Sequence, residues 1–314
     1  MLAYLQNLAV LICVNAILAM TLNFLMGYAG IFSLAHAVFF GVGAYTAAVV
    51  SMHVSPSIFV CTIAAMALSG ALSLALALPA LRVRGEYFVA ASLGLQMLAV
   101  TVFSEWRSVT GGLGGITNIP SPSVFGVSIE SSNGFFLLAV AYLIVVALAL
   151  WLLVRSSFGR NLRAIRDSES AAQALGKNVK AIKTLSVVVA TALAATAGVV
   201  YTFYLSFINV EGFTLDLSVI LMAMVIIGGT GSLFGPLIGA ALLMLLPAGL
   251  SFVPGLPQAE VGLVQQAVYG LVMVLLMIYR PGGIVGARGR KSRAVTAQIG
   301  AQGSANLVKK GGAQ

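Results

Sequence analysis

Two kinds of residue in this chain have types and spacing suited to chemistry. The first are polar groups set among glycines inside apolar runs. The stretch GYAGIFSLAHAVFFGVGAY, Gly27 to Tyr45, carries four glycines, Ser33 and His36 in a segment otherwise apolar enough for a membrane interior. TGGLGG (Thr110 to Gly115) and GGTGSLFGP (Gly228 to Pro236) repeat the theme. Neither continues into the Lys-Ser/Thr pair that a phosphate loop uses to hold phosphates and magnesium, so both read as turns. The second kind is a cation-rich loop, RSSFGRNLRAIRDSESAAQALGKNVKAIK, Arg155 to Lys183, whose middle favours helix. Neutral dipoles beside glycines suit passage of a small polar solute, and a basic loop suits contact with a partner. There is no HExxH, CxxC or Ser/His/Asp constellation to suggest catalysis. Cys13 and Cys61 sit in apolar segments without metal-like spacing and read as small core residues.

The elements that must position these groups are membrane helices. Across 314 residues, 60% are hydrophobic and 8% charged, with a mean hydropathy of +1.05, far from soluble usage. The first charged side chain is Arg82, which argues against a secretory signal with a charged start and for a chain that is membrane from its beginning. About 20 apolar helical residues cross the roughly 30 Å hydrocarbon core. Nine segments qualify, near 8 to 27, 34 to 52, 58 to 80, 87 to 103, 134 to 154, 184 to 206, 216 to 232, 236 to 253 and 262 to 280. The expected fold is an all-α integral membrane protein, a polytopic bundle of about 8 to 10 spans. A broken or re-entrant early helix is allowed where it lines a cavity. The ten-residue alternating segments of a membrane β-barrel are missing.

Of seventeen Lys and Arg residues, seven lie between Arg155 and Lys183 and seven between Arg280 and Lys310. The positive-inside rule makes both regions cytoplasmic, and Arg82 with Arg84 as well. The loop from 104 to 133 is then external, and the N-terminus is external if the first three segments all cross. The expected polytopic transmembrane domain runs over 1–285, followed by a basic, disordered cytoplasmic tail at 286–314. The net charge of +9 orients the chain and meets anionic lipid head groups, without calling for nucleic acid.

Within the 155–183 loop, Asp167 or Ser168 can cap a helix of about eight residues, and Gly176 suits a left-handed stop after it. The loop is either a solvated topology signal or a docking helix, with Ala171 and Ala172 permitting close approach. The glycines Gly27, Gly30, Gly41 and Gly43 either let helices pack closely or let one helix break towards a cavity. His36 is a site candidate as an ionisable group within a span, or a neutral imidazole satisfied by a neighbour such as Ser33 one turn away. His53, near Pro56, reads as interfacial. Polar candidates for a solute pathway are Asn23, Ser33, Thr110 and Thr230, with the backbone around Gly111, Gly112, Gly228 and Gly229. An ion-coupled transporter would carry acids within its spans, whereas all eight acids here fall in loops or near segment ends. A passive channel or scaffold would leave the helix-forming loop unexplained.

The 155–183 loop also resembles the coupling segment of ABC-importer permeases. Glu169, Ala171, Ala172 and Gly176 approach their EAA…G pattern, with Ser170 standing where the general pattern, counted from Gly176, has Glu. GYAGIFSLAHAVFFGVGAYTAA, LRVRGEYF, TGGLGGITNIP, GGTGSLFGPLIGA and YRPGGIVG, in that order, resemble the LivM-type branched-chain amino acid permeases over residues 20 to 286. The resemblance implies one membrane subunit of an importer, with Arg163, Asp167, Glu169, Ser170, Ala171, Ala172 and Gly176 facing an ATPase. It implies a second, LivH-like permease, two cytoplasmic ATPases that use ATP and magnesium, and an external solute-binding protein. The chain itself would hold no cofactor or metal and would not be an enzyme. Permeases for urea, short amides or other amino acids share these motifs. The resemblance also implies a prokaryotic plasma (inner) membrane location with a cytoplasmic C-terminus.

Overall fold

The structure is a computed structural model that describes residues 2–80, 85–124, 126–129 and 131–250, and beyond these only 267, 270, 271, 274, 275 and 283–285. Arg82, Arg84, most of the 262–280 segment and the 286–314 tail lie outside the described residues.

The described residues are helical almost throughout. In order come α1 (Leu2–Asn23), a π-helical turn (Phe24–Ala29), α2 (His36–His53), α3 (Ile58–Ala80), α4 (Gly85–Glu105) and the short α5 (Arg107–Thr110). A two-stranded hairpin, β1 (Ser123–Val124) and β2 (Val127–Ser128), pairs antiparallel before α6 (Ser132–Arg155). Then follow α7 (Ser157–Asp167), α8 (Glu169–Ala174), α9 (Val179–Leu205), α10 (Leu215–Gly228) and α11 (Gly235–Leu250). Side chains legible in the sequence set the helix starts. Ser131 accepts from Gly134 N, Ser156 from Phe158 N, Ser168 from Ala171 N and Asn178 from Ala181 N, each satisfying an amide that the helix leaves free.

Among the described residues, five helical segments are long and apolar enough to cross a membrane: Tyr4–Ala29, Ile58–Ala75, Tyr87–Glu105, Ser132–Arg155 and Val179–Leu205. The chain is thus an all-α polytopic membrane protein. The segment expected near 216 to 232 differs in length. α10 has 14 residues, about 21 Å of helix, because Gly229 departs from helical geometry and opens the turn that leads to α11.

α1, α2 and α9 form the centre, with α2 packed on α9 and α3, and α1 on α6, α9, α10 and α11. α3, α4 and α6 turn apolar faces outward. One end of the bundle gathers the π-helical turn, α7 and the Gly229–Phe234 turn. The opposite end gathers the start of α1, where Gln6 donates to Asn133, and the 106–129 segment, bridged at Ile116 to Ile208 and at Ser57 to Ser123.

Between membrane helices, lipid is as apolar as leucine, so close backbone contact replaces hydrophobic burial as the source of association. The crossing of α2 and α9 depends on this. A Cβ at Gly43 would overlap the Ala195 backbone, and one at Gly198 would overlap the backbone of Phe40, Gly43 and Ala44. Gly43→Val should therefore force the two helices apart and cost at least about 1–3 kcal/mol, read as a lowered thermal midpoint in detergent. Gly94→Ala is the matched control: nothing lies near its added methyl, and it should be neutral or stabilising by up to about 1 kcal/mol.

Candidate functional site

The break between α1 and α2 is the first component of the site. Helical hydrogen bonding widens to the π pattern over Phe24–Ala29, Gly30 turns left-handed at φ 70°, and residues 30 to 35 are non-helical before α2 begins. Such a break is tolerated in a membrane only if its backbone groups find other partners. They do so here. The amides of Gly30 and Ile31 both donate to Leu25 O, Leu34 N donates to Ser92 Oγ on α4 at 3.0 Å, and Ala37 N donates to Ser218 Oγ on α10 at 3.2 Å. Ser33 Oγ accepts from Ala35 N, so this serine serves the break rather than His36. Both expected explanations of the glycines operate together: Gly43 packs closely against α9 and Gly30 breaks the helix.

His36 opens α2, fully buried, and its Nε2 lies 2.9 Å from Thr21 Oγ1 on α1. The expected partner, Ser33, lies outside the helix, so the one-turn spacing does not apply; the true partner comes from 15 residues earlier. Gln96 completes this buried layer, donating to Phe213 O at 2.8 Å, with Ser218 Oγ 3.5 Å from its Oε1. Thr21, Gln96 and Ser218 are functional candidates that sequence reading misses. Each is one polar residue in an apolar helix, and what marks them is the partner across the bundle.

The second component lies at the end that carries the 155–183 loop. Asn23 donates to Ser232 O at 2.8 Å and accepts from Gly231 N at 2.9 Å, tying the end of α1 to the turn after α10. Gly27 and Gly231 are in backbone contact. Gly228 and Gly229 are buried there, the first against Gly235 and Pro236 and the second against Gly283, while Thr230 is exposed on the turn. Ile284 N and Val285 N donate to Ile227 O and Gly228 O, which brings residues 283–285 of the YRPGGIVG motif to the same place.

The third component is the loop itself, which forms two helices joined at Ser168. α7, which the sequence reading leaves as a flank, inserts beneath the π-helical turn: Phe158 packs on Phe24 at 6.5 Å, the Arg163 guanidinium lies 5.5 Å from the Tyr28 ring centre, and Arg166 donates to Gly27 O. Arg163 also donates to Val154 O at 3.0 Å. The expected eight-residue helix is six residues long in α8, capped by Ser168, with Ser170 Oγ 3.3 Å from Ser168 Oγ. Asp167 ends α7 in an exposed position. Glu169 pairs with Lys183 at 2.6 Å, an exposed bridge that joins α8 to α9. Ala172 is buried with Ile165 and Val179, whereas Ala171 faces outward and Leu175 is 80% exposed at the tip. Gly176 stops the helix at φ 74°, with open space around it.

Thr110, Gly111 and Gly112 sit at the opposite end. Thr110 Oγ1 donates to Phe103 O and Trp106 O and accepts from Gly112 N, holding the turn after α5. The pathway candidates therefore divide among a break layer, a turn cluster at the α7 end and a turn at the opposite end. A separate crevice of about 560 Å³ opens between α2, α3 and α4, walled by residues such as Val42, Leu72 and Val102. Its wall is apolar apart from Tyr45, Thr46 and Thr110.

An interrupted first span with neutral polar groups at the break, and an amphipathic arm seated on its end, define a membrane permease subunit. The family of permease components of branched-chain amino acid transport systems matches residues 4–279, and the chain belongs to it. The LivM permease protein of the high-affinity branched-chain amino acid transport system of Escherichia coli is 30% identical over 303 residues, covering 89% of this chain and 69% of that protein. A probable LivM permease of Methanocaldococcus jannaschii is 26% identical over 66% of this chain and 62% of its own. The autoinducer 2 import permease LsrC of Salmonella choleraesuis is 28% identical over 48% of this chain and 42% of its own. No solved structure matches the chain.

The hydrogen bonds that support the break give a local test. Ser92→Ala removes the partner of the part-buried Leu34 amide and should cost about 1 kcal/mol. Hydrogen exchange at residues 30 to 35 should accelerate while the α6 amides stay protected.

Proposed function

We propose that this chain is one permease subunit of an ATP-driven importer that passes branched-chain amino acids delivered by an external solute-binding protein. The α7–α8 arm is the observation that carries the reading. It presents a capped six-residue helix with outward Ala171 and exposed Leu175, while its other face is built into the end of the interrupted first span. A surface cleft on an ATPase accepts the first face, and the second links that contact to the membrane interior. ATP and magnesium belong to two such ATPase partners, and a LivH-like permease completes the pathway. The arm lies on the cytoplasmic side of a prokaryotic inner membrane together with the C-terminus.

The solute assignment follows the LivM relatives, which span far more of the chain than the autoinducer 2 relative does. A zwitterion with an apolar side chain needs only dipoles and helix N-termini along its route, and weak contacts favour release. The break layer of Ser33, His36, Gln96 and Ser218 supplies groups of that kind.

A tagged copy extracted from its own membranes in mild detergent should bring down two ATPase chains and a second permease. Leucine, isoleucine or valine with the binding protein should stimulate hydrolysis. Purification of the folded chain alone, without ATPase, overturns the importer reading, and stimulation by urea, an amide or a sugar-like solute overturns the substrate. Gly176→Val places a β-branched residue at positive φ, a strain on the order of 1–2 kcal/mol, and should weaken ATPase binding at least several-fold.

A further inference from the structure

Arg166 occupies a position that neither topology nor solubility requires. It lies on α7, in the extramembrane arm, yet its guanidinium donates to the carbonyl of Gly27 in the π-helical turn, 139 residues earlier. Its side chain also fills a slot made of glycines. A Cβ at Gly30 would come within 3.2 Å of Arg166 Cγ, and one at Gly231 within 3.4 Å of its Nη1. Gly27, Gly30 and Gly231 belong to the two irregular segments at this end, the α1–α2 break and the turn after α10. Asn23 fastens those segments to each other. Arg166 itself stays exposed, yet its guanidinium is spent on the carbonyl of the buried Gly27 instead of remaining free.

The chemistry suits the position. A helix leaves its last carbonyls unpaired and carries partial negative charge at its C-terminal end, which a guanidinium complements. Arginine presents a fork of donors on a long stem, so it can cap that carbonyl while lying along two glycines. Caps of this kind usually come from the helix's own neighbouring residues. Here the cap comes from another element, so it holds only while α7 is seated. π-helical turns are weak points in a helix and cluster at functional sites. α7 grips this one at two further points, Phe158 on Phe24 and Arg163 over Tyr28.

We propose that Arg166 is the positioning residue through which the α7–α8 arm controls the inner end of the pathway. Seated on Gly27 O, it locks the π-helical turn against the Gly229–Gly231 turn. When an ATPase partner displaces the arm, the guanidinium leaves its slot and both irregular segments are free to shift. This inference rests on the importer reading, which supplies the partner. It differs from that reading in naming α7, rather than the docking helix α8, as the part that acts on the membrane interior.

The test uses the whole complex reconstituted in vesicles with its binding protein, measuring uptake and ATP hydrolysis separately. Arg166→Ala should assemble and hydrolyse ATP within about twofold of the parent, while solute moved per ATP falls about tenfold, the size of a typical coupling loss. Arg166→Lys keeps a charge but only a point donor and should recover part of the ratio. Arg160→Ala removes a bond only to the nearby Arg155 carbonyl and should leave the ratio unchanged. An unaltered ratio in Arg166→Ala overturns the proposal. If that variant fails to assemble, hydrogen exchange in the unmodified complex decides: ATP binding should speed exchange of the amides at 30 to 35, and unchanged exchange overturns the proposal. Absence of an ATPase from the parent complex would instead count against the importer reading.

Discussion

Every backbone amide and carbonyl inside hydrocarbon must find a partner within the protein, and the architecture here follows from how the chain meets that demand where its first span stops being helical. Six residues between Ala29 and His36 give up the regular ladder. The amides of Gly30 and Ile31 are met by Leu25 O, that of Leu34 by Ser92 on α4 and that of Ala35 by Ser33, while Ser218 on α10 takes the amide of Ala37 in the first turn of α2. The break therefore draws α4 and α10 to the N-terminal end of α2 and fixes which faces they present. An amide left unmet in that setting is costly, so these serines are as structural as any apolar contact.

The same demand explains why the interior is polar without being charged. Thr21, His36, Gln96 and Ser218 are buried and mutually paired. Neutral groups can be satisfied one bond at a time, whereas a carboxylate or ammonium at that depth would need a counter-ion. Close packing of α2 on α9 through Gly43 and Gly198 holds the layer in place, since small residues are what lets helices associate where the solvent is apolar.

The arm adds a second constraint at one end. α7, α8 and the start of α9 share a small core around Ile165, Ala172 and Val179, which makes the arm one packed piece. Three contacts, at Phe158, Arg163 and Arg166, fasten that unit to the π-helical turn. The exposed face of α8 and the face of α7 built into the span are then two sides of one packed piece.

Much of this is legible in the residues themselves. Charge-free runs of membrane length mark the helices, because crossing hydrocarbon depends on composition and length alone. Ser168 and Gly176 mark the limits of α8, because capping is a local interaction. The glycines of Gly27 to Tyr45 announce either a break or a close approach, because both need a missing side chain. Which of the two holds at each glycine depends on the neighbour: Ala195 at Gly43, and Arg166 at Gly30. The partner of His36 is Thr21 rather than Ser33, α10 is shorter than a full crossing, and Arg166 reaches Gly27 across 139 residues. Those facts belong to the tertiary structure, since a lone serine, glutamine or arginine carries no sign in the sequence of which distant carbonyl or amide it will meet.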